Sequence, residues 1–92
     1  MASCLVTIAS WSGETYSFLV EDGIVRVKSD VDGRDEYAWA FTLPETAKRS
    51  IAAVEHPSGM IEVQYWTREE KLYSMYSFDG CQTFEGPVTQ YG

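Results

Sequence analysis

Ser77-Phe78-Asp79-Gly80-Cys81-Gln82-Thr83-Phe84, close to the end of the 92 residues, decides how this chain is read. Asp79 is placed to accept N–H bonds from the backbone just downstream, and Gly80 supplies a permissive backbone. Phe84 then plugs the following strand into the core. The stretch is a turn between two strands, so it speaks to architecture and says almost nothing about catalysis.

Outward from this turn, β-branched and aromatic residues recur in short runs broken by Gly, Pro, Asp or Ser. The runs are Cys4–Ala9, Thr15–Val20, Ile24–Lys28, Tyr37–Leu43, Ser50–Glu55, Met60–Thr67, Lys71–Ser77 and Thr83–Val88. Ser12-Gly13, Glu21-Asp22-Gly23, Ser58-Gly59 and Arg68-Glu69-Glu70 read as hairpin corners. Pro57 and Pro87 sit where strands end, which suits their missing N–H. Helical periodicity is weak, and Pro44–Arg49 has room for one helical turn at most. The fold class is all-β, in a single domain spanning 1–92.

The runs fall into two similar halves, one of about 4–44 and one of about 50–92. At an offset of 46 Leu5 meets Ile51, Ile8 meets Val54 and Ser12-Gly13 meets Ser58-Gly59. At an offset of 47 Asp32-Gly33 meets Asp79-Gly80 and Tyr37 meets Phe84. Each half has the strand count of a four-stranded propeller blade. The alternative is a single β-sandwich without an internal repeat.

Ser77, Asp79, Gly80, Thr83 and Phe84 resemble the Asp-box (Ser-x-Asp-x-Gly-x-Thr-Trp/Phe) of sialidase-type β-propeller blades, with Cys81 where the family has Gly. Asp30-Val31-Asp32-Gly33-Arg34-Asp35-Glu36-Tyr37 is similar to a decayed copy. The resemblance implies two four-stranded antiparallel blades. Two blades cannot close a ring, so copies of the chain are expected to supply the rest. In length and repeat period the chain is similar to two-repeat fucose-binding lectins, whose trimers form six-bladed rings. It lacks their Asp-Gly-x-Gly-Trp pattern, so no binding residues carry across. A homo-oligomer is expected, with a trimer favoured.

Fourteen acids against seven Lys and Arg give a net charge of −7. That balance argues against nucleic acid and anionic membrane as partners, since both are bound by positive charge. No apolar run is long enough for a membrane span, and the start of the chain lacks a signal-peptide pattern. A cytoplasmic or virion-associated protein is expected. Cys4 and Cys81 read as buried free thiols, although a bridge between them stays open.

The resemblance would require an arginine triad, a Tyr–Glu pair and an acidic Asp for sialidase chemistry. Arg26, Arg34, Arg49 and Arg68 do not fall in that context, so no enzyme and no catalytic residues are expected. His56 reads as a turn histidine, with Glu55 on the opposite strand face. No cofactor or metal is expected, and the acids of Asp30–Glu36 read as a solvated turn rather than a calcium loop. The aromatic surplus is the remaining signal. Trp66 with Glu62 and Arg68, and Trp39 separately, are candidate ligand-binding residues with the character of a sugar platform. Packing between blades or chains is the competing role for these rings. The expected function is a non-catalytic structural, assembly or binding module, of the kind phages or mobile elements encode. The alternative is a carbohydrate-binding lectin with aromatic platforms between blades.

Overall fold

The computed structural model describes residues 4–30 and 36–89, with the side chains of Cys4 and Arg49 outside that description. Eight strands follow in order: β1 (Cys4–Ala9), β2 (Thr15–Glu21), β3 (Ile24–Ser29), β4 (Ala38–Thr42), β5 (Ala47–Glu55), β6 (Ile61–Thr67), β7 (Leu72–Ser77) and β8 (Glu85–Thr89). They form two four-stranded antiparallel sheets, each a meander whose spatial order equals its chain order. Among the described residues there is no helix, and none long and apolar enough to cross a membrane.

The turns explain the meanders. Ser10 donates its N–H to the Glu14 carbonyl (2.7 Å) and Gly13 donates to Ser10 (3.0 Å). His56 to Met60 (2.8 Å) and Gly59 to His56 (2.9 Å) repeat that pattern 46 residues later. Thr67 to Lys71 (2.9 Å) and Glu70 to Thr67 (3.1 Å) make it a third time. The third loop residue is left-handed in each, with φ of 94° at Gly13, 91° at Gly59 and 63° at Glu70. These are three-residue hairpin loops, which place a left-handed residue before the returning strand. The β2–β3 corner is tighter. Asp22 and Gly23 both have positive φ, as a two-residue type I′ turn requires.

Pro44-Glu45-Thr46 forms a turn and not a helix, because Ala47 donates to the Pro44 carbonyl and then pairs with Thr67. That pairing starts β5 three residues before the expected Ser50. The same link is held from the β6–β7 turn, where the Arg68 N–H reaches the Thr46 carbonyl (2.8 Å).

Alternation sorts the side chains into an inner and an outer face of each sheet. In sheet one, Tyr16, Phe18 and Val20 on β2 and Val25 and Val27 on β3 are buried. In sheet two, Ile51, Ile61, Val63, Tyr65 and Met75 are buried and belong to the same hydrophobic cluster. One core therefore lies between the sheets. The Phe84 ring crosses the gap, meeting Phe41 at 5.4 Å and Phe18 at 6.3 Å between centroids, both edge-on. Strands β1 and β5 lie beside each other without sharing a ladder. Each sheet thus begins at a common seam.

Candidate functional site

The turn at Ser77–Phe84 is built from its own side chains. Asp79 Oδ1 accepts from the Ser77 hydroxyl (2.9 Å) and from the N–H groups of Gln82 (3.1 Å) and Thr83 (2.9 Å). The Thr83 hydroxyl donates to Oδ2. Ser77, almost wholly buried, accepts in turn from the Cys81 N–H (2.9 Å). Gly80 and Cys81 both have positive φ, 72° and 68°. Cys81 therefore occupies a left-handed position that favours glycine. Its thiol is free and buried, and burial, with Asp79 adding to it, pushes its pKa up to about 12. It is a protonated thiol and a poor nucleophile at neutral pH.

Asp79 is held at a pKa of about 2, first by the Thr83 hydroxyl and N–H, then by Ser77 and Gln82. In an unfolded chain the group returns to its ordinary value near 4. The depressed value means its stabilising share is complete above about pH 4 and is lost as pH falls towards 2. Thermal melts between pH 5 and 2 should show this loss, and Asp79→Asn should flatten it. An unchanged acid limb in that variant would mean that the turn does not depend on the carboxylate charge.

The outer face of sheet two centres on Glu62, which is buried. Its carboxylate accepts from Ser74 Oγ (2.7 Å) and Gln64 Nε2 (3.0 Å), and meets His56 Nε2 at 2.6 Å. Burial alone would raise its pKa, but the bonds from Ser74, His56 and Gln64 outweigh it and hold the group below the usual range. Glu62 is thus an ionised acid bound by protein donors. Trp66 shares its face and is 40% exposed, while Arg68 lies in the β6–β7 turn. Trp39 is on β4 of the other sheet, 64% exposed, with its indole N–H on Thr42 Oγ1 (3.1 Å). Trp66, Glu62 and Arg68 follow one strand into its turn, and Trp39 stands apart from them.

Two shallow clefts open where the sheets meet. The larger, of about 300 Å³, is lined by Lys28, Glu36, Trp39, Cys81 and Gln82 among others. The second, of about 280 Å³, lies between the first hairpin loops of the two sheets, beside Trp11, Glu55 and His56. Here Glu55 accepts from Ser10 Oγ (2.5 Å) and the Trp11 N–H (2.8 Å), and these bonds lower its pKa. Tyr16 donates to Glu14, and burial together with that carboxylate raises the phenol's pKa well above its usual value. Sequence reading missed this network. Ser10 and Glu55 are 45 residues apart, and only the β1–β5 seam joins them.

Among the described residues no group of His, Cys, Asp and Glu is arranged to hold a metal ion. The calcium reading and the decayed turn copy fall mainly on residues 31–35, outside the described residues. Comparison with family models, with curated proteins and with solved structures finds no match to this chain.

Proposed function

We propose that the chain is a non-catalytic assembly module, a pair of blade-like Asp-box repeats that further copies of the same chain complete, three copies being the favoured closure. One observation carries the reading: two meanders of the same strand order begin side by side, β1 against β5. First strands of neighbouring propeller blades lie together in this way around an axis. The matching loops at Ser10–Glu14 and His56–Met60 support the repeat, and the bonds around Asp79 suit the Asp-box turn. Two blades alone leave faces that a ring would cover.

The titratable groups support a module without catalysis. Tyr16 and Cys81 are both held in their protonated forms, and Glu55 and Glu62 are bound to fixed protein donors. An activated nucleophile needs the opposite arrangement, a lowered pKa or a base in contact with it. A second reading, as a lectin, has one observation in its favour. Trp39 stands 64% exposed beside the larger cleft, with Lys28, Glu36 and Gln82 as hydrogen-bonding groups. Titration with a broad panel of saccharides, followed by tryptophan fluorescence, separates the two. The assembly reading expects no saturable change, and no turnover with glycoside substrates. A saturable response lost in Trp39→Ala would replace it with the lectin.

A further inference from the structure

The second cleft lies at the open end of the core, between the loops Ser10–Glu14 and His56–Met60. Alternation along β5 puts Glu55 on the face of Ile51 and Ala53, which pack in the core. Glu55 is therefore the last inward side chain of that strand, half-buried at the lip of the cleft. Ser10 Oγ and the Trp11 N–H hold one of its oxygens each, at 2.5 and 2.8 Å. An ionised carboxylate has about four lone-pair sites, so each oxygen keeps one open. Among the described residues no Lys or Arg forms an ion pair with it. His56, the one base lining the cleft, has its Nε2 on Glu62 at 2.6 Å instead. Trp11 and Pro57 hold equivalent positions in the two loops and line the same cleft. Trp11 is 79% exposed, the most of any large apolar side chain among the described residues. Its backbone is nonetheless fixed, by Glu55 and by the bonds that close its loop.

We propose that this cleft binds a guanidinium cation on a short apolar stem, with Glu55 and Trp11 as its principal contacts. The site lies within one chain and goes beyond the assembly reading, on which it does not depend. A guanidinium is planar and forks two N–H groups onto a carboxylate, and Glu55 has an open site on each oxygen. The same plane stacks on an indole face, and its weak hydration lets it leave water to do so. The apolar stem is covered by Trp11 and Pro57. A volume of about 280 Å³ is small for a ligand pocket, which suits one such group and not a larger molecule. The net charge of −7 draws cations towards the chain at long range, and the cleft supplies the local contacts. An ammonium also meets Glu55, but as a compact and strongly hydrated charge it gains less from Trp11.

The test titrates propylguanidinium chloride into the full chain at low salt, followed by calorimetry and by tryptophan fluorescence. Saturable binding is expected, weaker with propylammonium and absent with the neutral propylurea. Glu55→Gln should weaken it at least about tenfold, through loss of a charge-assisted pair. Trp11→Ala should weaken it about two- to fivefold. Glu45→Gln removes an exposed acid in the β4–β5 turn and should leave binding unchanged. Equal losses in Glu45→Gln and Glu55→Gln would overturn the site, since the response would then follow net charge alone. Absence of saturation would overturn it too, as would propylurea binding as well as propylguanidinium. Should Glu55→Gln lose its cooperative melt, Trp11→Ala decides, because its position is exposed, and unchanged affinity there overturns the proposal. An acetylated Gly-Arg-Gly amide separates the two sources of such a cation. Tighter binding than propylguanidinium marks an arginine side chain of a partner protein. Equal or weaker binding marks a free guanidinium compound, and both results uphold the site.

Discussion

Replacing Phe84 with alanine is expected to destabilise the fold by about 3 kcal/mol, the lower part of the range for a large aromatic in a core. The ring is only partly buried, which argues against the upper part. Its position argues for a large effect all the same. Phe84 stands between the last turn and β8, yet its contacts are Phe18 and Phe41 of the other sheet. Phe18 is fully buried, so truncating its partner leaves a void that backbone on both sides resists filling. Phe78 is the internal control. It lies in the same turn but is 69% exposed, so Phe78→Ala should stay within about 0.5 kcal/mol of the native chain. Urea unfolding of both variants measures the contrast. Equal effects would mean that Phe84 does not bridge the sheets.

Gly86→Ala is the second large effect, expected at roughly 2–3 kcal/mol. Gly86 has a φ of 125°, which L side chains rarely adopt. Space is closed there too, because an added Cβ would lie 2.8 Å from the Ser74 carbonyl of β7 and 3.2 Å from the Met75 sulfur. The Ser74 atom is backbone in a ladder, so the clash is relieved only by pushing β8 off β7. Gly59 has a positive φ of 91° but nothing within 4 Å of an added Cβ. Gly59→Ala should therefore cost only the backbone term, about 1 kcal/mol. A Gly86→Ala variant no worse than Gly59→Ala would mean that β8 does not sit as closely on β7 as described.

The all-β class was legible because its signals are local. Each expected run carries a strand, and most boundaries differ by only one or two residues. The exception is β5, where a proline turn hands directly to a strand. The turn around Asp79 was equally readable, since its donors lie within four residues of the acceptor. The surroundings of Glu62 were not. Alternation placed it on an amphipathic face with Trp66, but its polar partners come from Ser74 on β7 and His56 at the preceding corner. The Ser10–Glu55 contact depends on β1 meeting β5, which no pattern within either half encodes. The division into halves of about 4–44 and 50–92 already put Trp39 and Trp66 in different sheets, as the strand order has them.

The mass of the native chain in solution, by light scattering behind a sizing column across a range of concentrations, tests the central claim most directly. The account predicts an assembly of several copies, with three times 10.4 kDa as the favoured value. A mass of 10.4 kDa at every concentration would contradict it. The two sheets would then be a self-sufficient sandwich, with outer faces that meet only water.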